Sequence, residues 1–109
     1  MSINLNRYKY KNRVIILETP NYKNQDYLDA KQEYENNIDE YNKRYVKLLT
    51  KQNKDSEFFV ILVGFDGYIK KTLKTLDTNR IIRFIDKMPM AKILKKNPQL
   101  KPSDLFVSI

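Results

Sequence analysis

The chain has 109 residues and a mass of 13.1 kDa, the size of one domain that buries about two thirds of its unfolded surface without a metal or disulfide staple. Charged residues make up 31%, mean hydropathy is −0.66 and the net charge is +8, which suits a water-exposed globular protein with a pull on anionic partners. With no cysteine and no histidine, thiol nucleophiles, disulfide exchange, thiolate metal sites and the usual near-neutral general base are excluded, so catalysis is left with carboxylates, Lys and Tyr.

In chain order, Arg13–Glu18 (RVIILE) is a continuous apolar, β-branched run closed by Thr19-Pro20. That pattern predicts a strand buried on both faces, hence central in its sheet. From Asn24 to Tyr41 the residues Tyr27, Ala30, Tyr34, Ile38 and Tyr41 step by three, four, four and three. The spacing predicts one amphipathic helix, with Asn24 as N-cap and Asn42 as its stop. Arg44–Thr50 is the next strand, KQNKDS a loop, and Glu57–Val63 a second strongly apolar strand. Gly64-Phe65-Asp66-Gly67 separates it from Tyr68–Leu73. An Asp-Gly pair between two strand-like runs predicts a hairpin, because Gly accepts the positive φ of the turn. Asp77 then caps a helix with Ile81, Ile82 and Ile85 facing inward, and Pro89 prevents its continuation. Lys92–Lys101 is a basic segment interrupted by Pro98, and DLFVSI closes the chain.

Strand, helix, strand, hairpin, helix is the order of an α/β fold of the thioredoxin-like type with a mixed sheet. The first three elements give a parallel pair joined by a right-handed crossover, and the hairpin adds an antiparallel pair. Residues 1–109 read as a single domain, with a core over 13–90 and a basic C-terminal extension over 91–109.

Several of these residues carry a family resemblance. Arg13-Val14-Ile15-Ile16-Leu17, Asp26-Tyr27 and Gln32, Arg44-Tyr45-Val46, Gly64-Phe65-Asp66-Gly67 with Lys70, and Ile85-Asp86-Lys87-Met88-Pro89-Met90 resemble the P-DUDES family. That family is a peroxiredoxin-like domain of unknown function found in bacteria and in some secreted animal proteins with sushi repeats. The resemblance spans about Arg13 to Met90 and implies a thioredoxin-like fold; no established catalytic residue comes with it. Its signature positions here are Arg13, Arg44, Gly64, Asp66, Gly67, Lys70, Asp86, Met88, Pro89 and Met90. Phe65 and Ala91 stand where the family usually has Lys and Arg, so an anion site built from those two bases is not carried over.

In thioredoxin-like enzymes the reactive Cys follows the first strand of the strand-helix-strand unit, at a helix N-terminus whose dipole stabilises thiolate. The corresponding stretch here, Thr19-Pro20-Asn21-Tyr22-Lys23-Asn24, has no thiol. Peroxidatic and dithiol chemistry are therefore excluded for this chain acting alone, and no enzyme is expected. Thr19, Asn21 and Lys23 suit either a small anion at the helix start or, more simply, a capped turn. No Walker loop, dinucleotide fingerprint, calcium loop or zinc spacing is present, so no cofactor or metal is expected. Asp66, Asp77 and Asp86 read as turn, cap and helix surface.

The charge is uneven. Residues 1–13 carry four bases and no acid, residues 14–67 seven bases against ten acids, and residues 68–101 ten bases against Asp77 and Asp86. The bases Arg7, Lys9, Lys70, Lys71, Lys74, Lys92, Lys95 and Lys96 are the expected contacts for nucleic acid or another polyanion. In NRYKYKNR they interleave with tyrosines that can stack bases. The competing reading is a solvated Lys-rich face, and an arm that pairs with a sheet edge or a partner. The abundance of Asn, Lys, Ile and Tyr also looks like the coding bias of an A+T-rich genome, such as a large DNA virus or a low-GC microbe.

The leading expectation is a non-catalytic domain that binds an unidentified protein or itself; the alternative is a basic module binding nucleic acid nonspecifically. Self-association as a homodimer is expected through the chain ends, the arm Ile3–Tyr10 and the apolar tail Leu105–Ile109, against the alternative that both fold back onto their own domain. The N-terminus lacks the apolar run of a secretory signal and no run reaches the roughly 20 residues of a membrane span. An intracellular, cytoplasmic location without membrane association follows as an expectation, in host cytoplasm or virion for a viral source.

Overall fold

The computed structural model describes residues 4–106 of the chain. Its strands are β1 (Arg13–Thr19), β2 (Val46–Gln52), β3 (Phe59–Val63) and β4 (Ile69–Leu73), in the spatial order β2-β1-β3-β4. β1 pairs parallel with β2, from Arg13 opposite Val46 to Thr19 opposite Gln52, and antiparallel with β3, from Val14 opposite Val63 to Glu18 opposite Phe59. It is central, as its unbroken apolar run requires. β3 and β4 form the antiparallel hairpin, with an irregularity at Leu62/Val63.

The helices are α1 (Gln25–Asn36), α2 (Ile38–Lys43), α3 (Thr78–Asp86) and α4 (Pro89–Lys96). The main core joins Ile15, Leu17, Val60 and Leu62 of the sheet to Tyr27, Tyr34, Tyr41, Ile81 and Ile85 of the first three helices. Each large apolar side chain buried in this way contributes about 1.5–3 kcal/mol relative to exposure. On the opposite face Val14, Ile16 and Val63 form a smaller cluster, covered in part by Leu5 and Tyr8. Among the described residues no helix is long and apolar enough to cross a membrane.

Several expectations need correction. The helix predicted over 24–41 is two helices: Asn37 leaves helical geometry at φ −121° and its amide donates back to the Glu33 carbonyl at 2.9 Å, competing with the backbone ladder. The helical run also passes Asn42 and ends at Lys43. β2 starts at Val46 rather than Arg44, because Arg44 closes α2 and Tyr45 turns the chain with φ 59°. Pro89 does more than stop α3. It opens α4 at a first-turn position, where its missing N–H costs no helical bond, so the boundary expected after Met90 falls inside a helix. Of the three predicted inward isoleucines of α3, Ile81 and Ile85 are buried and Ile82 is half-buried.

The N-terminal arm is not an edge strand. Leu5–Arg7 form a 3₁₀ turn, Leu5 and Tyr8 pack on the second cluster, and Tyr10 N–H donates to the Phe65 carbonyl at 2.6 Å. Ile3, and Val107 to Ile109 of the tail, lie outside the described residues.

Candidate binding site at the Arg13 pole

The register of the sheet gives it two poles. At one end lie the last residue of β1, Thr19, and the start of α1; at the other lie Arg13, the start of β2, the hairpin turn after β3 and the start of β4. At the Thr19 end the polar groups satisfy one another. Thr19 Oγ1 donates to the Asn21 carbonyl at 2.7 Å, Asn21 Oδ1 accepts from Lys23 N at 2.9 Å, and Asn24 Oδ1 caps α1 by accepting from Tyr27 N at 3.0 Å. This is a capped helix start without a nucleophile.

The other pole is built around Arg13, a full cation that is only 1% exposed. Nη1 donates to the Arg44 carbonyl at 2.8 Å, and the guanidinium lies over the Phe65 ring, 4.2 Å from its centroid. Nε and Nη2 are buried and find no acceptor among the described residues. Burial pulls the guanidinium pKa down to about 10; Asp86 opposes that shift and Arg44 adds to it. At neutral pH Arg13 stays charged.

Around it the side chains pair off. Arg44 Nε and Nη2 grip both Asp86 oxygens at 2.8 and 2.9 Å, and its Nη1 donates to Glu40 Oε2 at 2.9 Å. The Asp86 hydrogen bonds raise the pKa of Arg44, and Arg44 in turn holds the Asp86 carboxyl below its ordinary range. Lys70 Nζ donates to Asp66 Oδ2 at 2.7 Å. Burial alone would raise the Asp66 pKa, but Lys70 and the Tyr68 N–H outweigh it and the carboxyl is held low. Lys70 reaches Asp66 by crossing Gly64, where an added Cβ would sit 2.6 Å from Lys70 Cε.

Two cavities of about 310 and 300 Å³ meet at Arg13. The first takes Arg44 and Asp86, the second Gly64, Asp66, Lys70, Met88, Pro89 and Met90. Every signature position except Gly67, which supplies the turn's φ of +85°, therefore lines one cavity or the other. Residues from separate stretches of sequence converge on one spot. Lys43, Tyr45, Leu94 and Pro98 also line the first cavity and were not among the expected site residues. Tyr45 stood only within the resemblance stretch Arg44-Tyr45-Val46, Lys43 comes from the end of α2, and Leu94 and Pro98 come from within and just after α4, a helix the sequence reading lacked.

The expected polyanion contacts are not gathered in the same way. Lys70 and Lys95 reach the cavities. Arg7 lies over Tyr8, Lys9 over Tyr10 and Lys71 over Phe84, each held by a ring of the chain itself. Lys74, Lys92 and Lys96 are exposed, on the segment after β4 and on α4.

With this arrangement in hand, solved structures give a clear match. The reduced 2-Cys peroxiredoxin of Plasmodium vivax superposes with a TM-score of 0.65 at 14% identity, over 84% of this chain and 85% of that one. Thioredoxin peroxidase I of Plasmodium yoelii gives 0.61 at 12%, over 94% of this chain and 85% of that one. The fold is thioredoxin-like. At such identity the likeness is one of architecture alone. No protein-family model matches the sequence and no curated protein matches it, so the P-DUDES resemblance rests on the residues quoted above. Relative to the thioredoxin-like layout, Arg13 sits at the pole away from the position where thiols act, after β1.

Proposed function

We propose that this chain is a non-catalytic thioredoxin-like domain, of the kind the P-DUDES resemblance implies, that works by binding another protein or a second copy of itself. One observation carries the reading: the side chains that converge do so around Arg13, while the α1 start, where a thiol would act, is a self-satisfied cap. A peroxiredoxin needs a thiolate at that point, and the sequence has no cysteine. The carboxylates near Arg13 are held by Arg44 and Lys70 as ionised acceptors, which suits recognition and deprives them of a role as proton donors near neutral pH. The test is turnover of hydrogen peroxide with a thiol reductant, and of insulin disulfides, by the pure protein. Rates equal to buffer are expected, and turnover above it overturns the reading.

A further inference from the structure

Arg13 poses an energetic problem that the described residues only half solve. Burying a guanidinium costs several kcal/mol unless its donors are matched, and here one nitrogen, Nη1, is matched by the Arg44 carbonyl while Nε and Nη2 are not. Those two nitrogens share one edge of the planar group, the edge that grips a carboxylate with two parallel N–H···O bonds. The chain itself shows the pairing a short distance away, where the same two nitrogens of Arg44 hold the two oxygens of Asp86.

We propose that the Nε/Nη2 edge of Arg13 is a binding site for a monocarboxylate with an apolar body. A second feature points the same way. α4 begins at Met88-Pro89 with no side chain capping its first turn, and Met88, Pro89, Met90 and Ala91 of that turn line the two cavities that meet at Arg13. An uncapped helix N-terminus favours negative charge. The fork is the main donor; of the first-turn amides only that of Met90 adds to it, since Pro89 has no N–H and Ala91 N–H donates to the Met88 carbonyl at 3.1 Å, and Phe65, Met88, Pro89 and Met90 give an apolar wall for the rest of the ligand. The acids already in the cavities do not fill the edge, because Asp86 is held by Arg44 and Asp66 by Lys70. The same engagement of Arg44 and Lys70 leaves the free donors matched to one planar anion rather than to the several oxygens of a phosphate.

This inference rests on the reading of the chain as a binding domain, and the two fail separately, one by turnover and the other by titration. The probe is hexanoate, with hexanamide and inorganic phosphate as comparisons, followed by nitrogen-15 correlation spectra of the full chain at low salt. Hexanoate should shift the Arg13 Nε–H signal and the amides of Phe65, Met90 and Ala91 saturably, and bind at least about tenfold tighter than hexanamide, the worth of one charge-assisted pairing. Arg13→Lys keeps the charge and loses the two-toothed edge, so it should weaken hexanoate about tenfold or more. Equal binding of hexanamide, tighter binding of phosphate, or no saturable shift at low-millimolar hexanoate overturns the proposal. The comparison of the three probes on the unaltered chain holds even where a variant misfolds.

Discussion

At the scale of single residues, buried polar groups separate those that stabilise from those kept for another reason. Tyr41 is fully buried, its hydroxyl 2.7 Å from Thr78 Oγ1 and its ring stacked 4.7 Å from that of Tyr34. Burial raises its pKa to about 12, above the value near 10 of an unfolded chain. The stability tied to its neutral form is present below about pH 10 and lost as pH rises through about 12. Tyr41→Phe should cost about 1–3 kcal/mol at pH 7 by leaving the buried Thr78 hydroxyl alone, and should flatten the alkaline limb of a pH–stability curve measured by urea unfolding. Arg13 has the opposite sign. Its folded pKa of about 10 lies below the usual arginine value, so its burial opposes folding at neutral pH and that opposition fades only above about pH 10. Arg13→Met should therefore leave the urea midpoint unchanged or raise it. A loss of stability as large as that of Tyr41→Phe would make Arg13 a structural residue instead. This contrast was not legible in the chain, because an arginine at the head of an apolar strand reads as its solvated end, and only the packing of Phe65 and Arg44 around it shows otherwise.

At the scale of elements, what was legible is what local chemistry decides. β1 and β3 follow from unbroken apolar runs, and the hairpin from Gly67, whose φ of +85° few side chains tolerate. Gly67→Ala should cost about 1–2 kcal/mol through that backbone alone, read as a shift of the urea midpoint with an unchanged slope. Gly67→Asn should cost less, since Asn tolerates the left-handed region; equal cost for the two would show that contact with Lys9, not φ, sets the requirement. The break at Asn37 and the start of α4 were not legible for related reasons. A period of 3.6 runs through Asn37 without a gap, and Pro89 carries opposite meanings as the end of one helix and the first turn of the next. Asp86 was read as helix surface, yet it clamps α3 to Arg44 at the end of α2 across 42 residues of sequence. Its folded pKa is depressed, so that contribution is present above the ordinary aspartate value near 4 and lost as pH falls through the lower folded value. Because Asp86 is half exposed, Asp86→Asn should cost only about 1 kcal/mol or less. The cost should vanish in acid, where wild type and variant should share one urea midpoint.

For the whole molecule, the net charge of +8 is dispersed rather than gathered into one basic face. One of its cations, Arg13, is buried; of the expected contacts only Lys70 and Lys95 reach the cavities, Arg7, Lys9 and Lys71 lie over separate aromatic rings, and Lys74, Lys92 and Lys96 stand exposed after β4 and on α4. Any nucleic-acid binding should therefore be weak, indifferent to sequence and lost within a moderate salt series in gel shifts; binding that survives high salt would restore the polyanion reading. The same accounting bears on self-association. The two edges of the sheet carry lysines, Lys47 and Lys51 on β2 and Lys70 and Lys71 on β4, a pattern that discourages edge pairing with another chain. The arm, expected to reach for a partner, is spent on its own sheet through Leu5 and Tyr8. For the homodimer expected from the sequence, we propose that of the two chain ends it is the apolar run Leu105–Ile109 that meets a two-fold mate, an arrangement in which the lysine faces would stay wet. Sedimentation of the full chain should show dimer at tens of micromolar, about the range where weak interfaces populate, and a form ending at Lys101 should be monomeric with an unchanged far-ultraviolet spectrum. Two monomers would end the dimer proposal, and two dimers would move the interface away from the tail.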